Sequence, residues 1–149
     1  MKKIFLFIFI FLNFHFVSLA ENLKFKSIAS LNKPWGSSFI TNDEIIITEK
    51  SGKIKIVNIL NGNIAEVEHN LNFLEYGQGG LLDILHKDSF IYISYTENRE
   101  NWKTSTSIAK AKLDKKKLLF KNIFQANPPI DSGYHFGSRL AIKDNYLFA

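Results

Sequence analysis

Three times along this chain a glycine opens onto a short apolar strand, a polar turn and a second strand: Gly36 to Thr48, Gly80 to Ser94 and Gly137 to Ala149. A recurrence of roughly 45 to 55 residues, with room for four strands per unit, is the spacing of β-propeller blades. Blades set the first residues of their inner strands around a central channel. The turns before Gly36, Leu81 and Arg139 are therefore expected to converge on one mouth, which brings Gln78 and His135 together.

The periodicity between these glycines is that of strands, with short Ile, Val, Phe and Tyr runs separated by Asn, Asp, Gly and Lys. Strands are predicted near Lys24–Ala29, Gly36–Ile40, Glu44–Glu49, Lys53–Ile59, Leu81–Leu85, Phe90–Tyr95, Ser105–Leu113, Leu118–Phe124, Arg139–Ile142 and Tyr146–Phe148. Thr41-Asn42-Asp43, Lys50-Ser51-Gly52, Asn61-Gly62-Asn63 and Lys143-Asp144-Asn145 supply residues that make Asx turns or tolerate positive φ. No window has the spacing of an amphipathic helix. The expected fold class is all-β, a β-propeller of which this chain supplies roughly the first two and a half blades. An incomplete ring leaves a sheet edge and an apolar face uncovered, so the chain is expected to be a fragment of a larger protein.

The first twenty residues stand outside that pattern. Lys2-Lys3, the Phe/Ile/Leu run from Ile4 to Leu12 and the small residues of Ser18-Leu19-Ala20 are the three parts of a secretory signal peptide, with cleavage expected after Ala20. The apolar run, broken by Asn13 and His15, is short of the roughly 20 residues a membrane span needs. The expected product is a periplasmic or secreted chain, residues 21–149, with no stable membrane insertion. Cleavage removes two lysines and no acids, so the formal charge falls from +5 to +3. Such a charge argues for no nucleic-acid partner, and the one dense run, Lys115-Lys116-Lys117, reads as a solvated turn. The absence of cysteine excludes thiol catalysis and thiolate metal sites, and leaves burial to stabilise the fold without disulfides.

Two glycine-bracketed turns carry the candidate chemistry. Gly77-Gln78-Gly79-Gly80 holds an amide at a strand mouth, and Gly133-Tyr134-His135-Phe136-Gly137 holds an imidazole, whose ordinary pKa lets it exchange protons near neutral pH. Trp35, Phe39, Phe90, Tyr92 and Tyr95 sit at strand spacing and read as inter-blade core. Asp83 reads as a tie for a turn or strand end, and Arg139 as a partner for backbone or a nearby carboxylate. His69 and His86 lie in expected loops without ligand spacing, which argues against a zinc site. Asp131, Ser132 and His135 lack the nucleophile-elbow sequence of a hydrolase.

The strings Lys33-Pro34-Trp35-Gly36, Thr48-Glu49-Lys50-Ser51-Gly52-Lys53-Ile54, Gly77-Gln78-Gly79-Gly80-Leu81-Leu82-Asp83-Ile84, Ile91-Tyr92-Ile93-Ser94-Tyr95 and His135-Phe136-Gly137-Ser138-Arg139-Leu140 follow one another in this order. In them the chain resembles the N-terminal part of the soluble, pyrroloquinoline quinone (PQQ)-dependent aldose sugar dehydrogenases, the glucose/sorbosone dehydrogenase family. The resemblance implies a six-bladed propeller, exported to the periplasm, that binds PQQ with calcium over the channel mouth. It implies oxidation of the anomeric hydroxyl of an aldose to a lactone, with electrons passed to an external acceptor. Carried over by motif, the general base falls on His135, which also contacts the cofactor, and Gln78 falls where cofactor and sugar are both held. Tyr134 fills the substrate-contacting slot before the base, where some relatives carry a carboxylate. The cationic contacts to PQQ and the calcium ligands are expected beyond this stretch, and no metal ligand is assigned here. The alternative reading is a secreted, non-enzymatic β-propeller binding module.

Overall fold

The Ile-rich runs on either side of Lys50-Ser51-Gly52 pair as a hairpin, which is the centre of the first sheet in the computed structural model, describing residues 24–149. The expected signal peptide and its expected cleavage point lie outside the described residues. Strands β1 (Pro34–Phe39), β2 (Glu44–Glu49), β3 (Lys53–Asn58) and β4 (Ile64–His69) form an antiparallel meander. Strands β5 (Leu81–Lys87), β6 (Phe90–Asn98), β7 (Thr104–Lys112) and β9 (Lys121–Gln125) form a second. Between β7 and β9, the two-residue strand β8 (Lys117–Leu118) leaves its own sheet and pairs in parallel with β4, tying the two sheets together. A third sheet begins with the hairpin β10 (Ala141–Lys143) and β11 (Tyr146–Phe148). These are two blades and the start of a third: β1 contains Gly36, β5 starts directly after Gly80, and β10 starts at Ala141, beyond Gly137. A single-turn 3-10 helix, Glu100–Trp102, joins β6 to β7. Among the described residues no helix is long and apolar enough to cross a membrane.

The core lies where the first two sheets face each other. Ile46, Ile54, Ile56 and Val67 from one meet Leu81, Ile84, Ile91, Ile93, Tyr95, Ala109 and Ala111 from the other, closed by Leu118 and Phe120. Alternation along each strand delivers these residues to one face, and their burial from water is the main stabilising term. The inner strands approach so closely that a Cβ on Gly36 would stand 2.7 Å from the Asp83 Cα, so only glycine fits there. Glu49 is fully buried at the end of β2. Burial alone would raise its pKa, but the Lys55 ammonium at 2.8 Å and the Asn32 N–H at 2.7 Å outweigh this and hold it below the ordinary carboxylate value.

Several expectations need correction. Lys24–Ala29 is not a strand, and Phe25 is 95 % exposed. Apolar composition makes a strand only where a sheet edge offers hydrogen-bond partners, and this segment pairs with none among the described residues. Conversely β4 carries one buried apolar residue, Val67, among exposed Glu66 and Glu68, so it gave little apolar signal. Of the five aromatics expected in the core, only Tyr95 is buried there, its hydroxyl donating to Asn122 Oδ1 at 2.7 Å. Burial pushes the Tyr95 pKa up to about 12. Trp35, Phe39 and Phe90 are exposed and Tyr92 half-buried; Phe90 and Tyr92 are capped by the Lys110 ammonium, 3.8 and 5.2 Å above their rings. His69 ends β4 and His86 lies within β5, each with a ring nitrogen against a backbone carbonyl, of Gly52 and Phe39 respectively.

Candidate functional site

Gly79 N donates to the Tyr76 carbonyl at 2.8 Å, so residues 76–79 form a tight turn immediately before β5. Gly77 sits in it at φ 57°, a conformation that glycine adopts without steric cost. The turn is joined to the segment that carries His135 at two points: Gln78 N donates to the Gly133 carbonyl at 2.7 Å, and His135 N donates to Gln78 Oε1 at 3.0 Å. Glycines are required on both sides of this seam. A Cβ on Gly77 would strike the Gly133 carbonyl, and one on Gly133 would stand 2.9 Å from the Tyr76 ring.

The expected convergence of Gln78 and His135 is therefore present, and its form is informative. The His135 N–H must meet an acceptor, which fixes the Gln78 amide with Oε1 toward His135 and leaves Nε2 as the donor available to a ligand. His135 itself is exposed and takes a left-handed backbone at φ 64°. A non-glycine residue there carries strain of about 1–2 kcal/mol, which persists only where neighbours impose it. Its ring meets no hydrogen-bond partner among the described residues, and lies beside the exposed Tyr134 ring, with centroids 6.3 Å apart.

The constraint on His135 comes from a set of hydroxyl groups along β6 and β7. Thr104 Oγ1 donates to the Ser132 carbonyl at 2.8 Å, Thr106 Oγ1 to the Phe136 carbonyl at 2.6 Å, and Ser94 Oγ to the Ser138 carbonyl at 2.6 Å. These satisfy, one after another, carbonyls of a loop that has no strand of its own until Ala141. The buried Asp83 closes the loop by accepting from Leu140 N at 2.7 Å and Arg139 Nη1 at 2.9 Å. Both Asp83 and Arg139 thus take the tying roles their sequence context suggested. The first blade contributes Lys50, whose ammonium donates to the Gly77 carbonyl and whose own carbonyl accepts from Leu81 N. Trp35 Nε1 donates to Ser138 Oγ at 3.4 Å, so all three repeats meet at this mouth.

Ser94, Thr104, Thr106, Lys50 and Tyr76 were not singled out from sequence. A signal exists for two of them: Thr104-Ser105-Thr106-Ser107 is a run of four hydroxyls within one strand, which is costly to bury unless each finds a partner. Among the described residues no three His, Asp or Glu side chains converge into a cluster that could hold a metal ion. Chemically, the mouth offers an exposed imidazole without a hydrogen-bond partner among the described residues, an oriented amide donor and a phenol.

The family model described as Glucose / Sorbosone dehydrogenase matches residues 31–149. The aldose sugar dehydrogenase YliI of Escherichia coli is 30 % identical over 128 residues, covering 79 % of this chain and 34 % of that protein. The crystal structure of the soluble aldose sugar dehydrogenase from Escherichia coli in the apo-form superimposes with a TM-score of 0.69 at 27 % identity, over 75 % of this chain and 35 % of that one. The PQQ-bound aldose sugar dehydrogenase of Streptomyces coelicolor shares the fold, with a TM-score of 0.66 at 21 % identity, over 77 % and 36 % of the two chains. The chain thus spans about a third of the length of the curated relatives it matches.

Proposed function

The chain belongs to the glucose/sorbosone dehydrogenase family, and from that membership we propose that the whole protein is a PQQ-dependent dehydrogenase oxidising the anomeric hydroxyl of an aldose to the lactone, with His135 as general base. The observation that carries the assignment is the strained, exposed His135 held through its backbone by Gln78 Oε1 at 3.0 Å. A strained residue with an unengaged imidazole is a poor packing choice and a good placement for proton transfer.

The donor set fits one edge of the cofactor. Gln78 Nε2 and the Tyr134 hydroxyl are neutral donors suited to quinone and sugar oxygens, whereas Lys50 and Arg139 are engaged by Gly77 and Asp83. PQQ, when bound, supplies the acceptor for the hydride that leaves the anomeric carbon. His135 takes the proton of the anomeric hydroxyl as the carbon–oxygen double bond forms, so the bonding pair of the C–H and the hydroxyl proton leave to different acceptors. Gln78 holds the reacting oxygen through Nε2, and Tyr134 bounds the sugar. Calcium, which the resemblance also implies, finds no cluster of three His, Asp or Glu side chains among the described residues. Export by the Lys2–Ala20 leader would place the reaction in the periplasm or outside the cell, with an external acceptor removing the electrons.

The test is His135→Gln in the whole protein, assayed by dye reduction with an aldose and by PQQ titration. We expect kcat to fall by a factor on the order of 10² to 10⁴ with PQQ affinity within a few-fold, the pattern of a group that acts in the transition state. Turnover within a few-fold of wild type makes His135 structural. A folded wild type that binds sugar yet oxidises no aldose favours the secreted binding module instead.

A further inference from the structure

We propose that Tyr76 is the platform on which the sugar ring lies, a binding residue for an all-equatorial, gluco-configured pyranose; the inference rests on the dehydrogenase reading of the same mouth. Tyr76 is the first residue of the turn whose third residue is Gln78, closed by the hydrogen bond from Gly79 N to its carbonyl. Its ring carbons Cε1 and Cδ1 rest where a side chain on Gly133 would begin, at 2.9 and 3.0 Å from that position. Gly133 lies two residues before His135, so the ring packs on the segment that carries the imidazole. Yet 55 % of Tyr76 remains exposed, as does 59 % of Tyr134.

An aromatic residue so placed contributes little to the core. Its turn is bonded to Gly133 and to Lys50 of the first blade, and the surface its ring does not pack on Gly133 is left to solvent. Aromatic faces carry negative charge density and attract the polarised C–H bonds that a pyranose presents on its faces. When every hydroxyl is equatorial, those C–H bonds line both faces without interruption, whereas an axial hydroxyl breaks one face. Rigid apolar walls with a few oriented polar groups are the usual composition of small-ligand sites. Here Tyr76 supplies the wall, and Gln78 and His135 supply the polar groups.

The experiment measures binding apart from turnover. 1,5-Anhydro-D-glucitol has the pyranose faces but no anomeric hydroxyl, so it binds without being oxidised, and its Kd is read by calorimetry on the whole protein. Tyr76→Phe, which keeps the face, is expected to bind within twofold of wild type. Tyr76→Leu, which keeps apolar contact with Gly133 but has no aromatic face, and Tyr76→Ala are each expected to weaken binding about tenfold. With D-glucose as substrate, the same two variants should raise KM by a similar factor and leave kcat within twofold, as for binding shared by ground and transition states. Leu or Ala variants that bind like wild type, a Phe variant as weak as Ala, or a wild type that does not bind the anhydro sugar overturn the platform. A wild type that binds the anhydro sugar but oxidises no aldose overturns the dehydrogenase reading while leaving the Kd comparison to decide Tyr76.

Discussion

At the scale of single residues, Asp83 and Arg139 show how unequal the two partners of one ion pair can be. Asp83 is 3 % exposed and accepts from Leu140 N as well as Arg139, whereas the Arg139 side chain is 77 % exposed. Removing the carboxylate leaves a buried amide without an acceptor, a loss of about 1–3 kcal/mol. Removing the guanidinium loses a solvent-screened contact of less than about 1 kcal/mol. Denaturant unfolding of Asp83→Ala and Arg139→Ala should therefore give clearly different midpoints, with Asp83→Ala much the less stable. Equal losses would mean that Arg139, not Leu140 N, is the partner that matters. The same reasoning explains why His135 stands out as a candidate in the sequence while its mode of support does not. Histidine between glycines is visible in sequence, but a left-handed backbone held by an amide 57 positions away is not.

At the scale of elements, β6 and β7 do more than complete the second blade. Their hydroxyls replace, for the loop at residues 132–138, the hydrogen bonds a neighbouring strand would otherwise supply. Thr106→Val keeps the shape of the side chain and removes only the donor to the Phe136 carbonyl, the residue next to His135. We expect a stability loss of about 1 kcal/mol and a larger proportional fall in kcat than rise in KM, because a loosened base costs orientation rather than sugar affinity. Thr106→Ser, which restores the donor, should recover most of the turnover. A Val variant with unchanged kcat would show that the other anchors suffice. The placement of β8 against β4 also belongs to this scale: two residues leave one sheet to finish another, which local propensity does not encode.

At the scale of the whole molecule, the described residues leave large apolar groups in water: Phe39 at 57 %, Leu60 at 70 %, Ile123 at 51 %, Phe124 at 53 % and Phe148 at 54 % exposed. A groove of about 450 Å³ lined by Ile28, Phe39, Ile45, Ile47, Val57 and Ile59 opens on the first sheet. Surfaces of this kind bind other apolar surfaces. Residues 21–149 expressed alone should accordingly associate as concentration rises, seen as a mass increase in sedimentation velocity. They should not bind PQQ one to one in an absorbance titration, because Lys50 and Arg139 at this mouth are already engaged by the Gly77 carbonyl and Asp83. A monomer with stoichiometric PQQ binding would show the site to be complete in this stretch.

What the sequence determined by itself is what depends on neighbours in the chain. The strand periodicity, the turn residues and the thrice-repeated glycine specify blades, and the order of glycine-bracketed words places Gln78 and His135 at strand mouths. Such features are set by backbone sterics and by alternation of side chains over a few residues. Only the tertiary structure decided which hydroxyls hold the loop, which aromatics stay in water, that Lys24–Ala29 pairs with nothing described, and that Tyr76 rests on Gly133. The physical reason is that a hydrogen bond or a contact between residues tens of positions apart depends on where two separately formed blades come to lie, and residue type alone does not carry that distance.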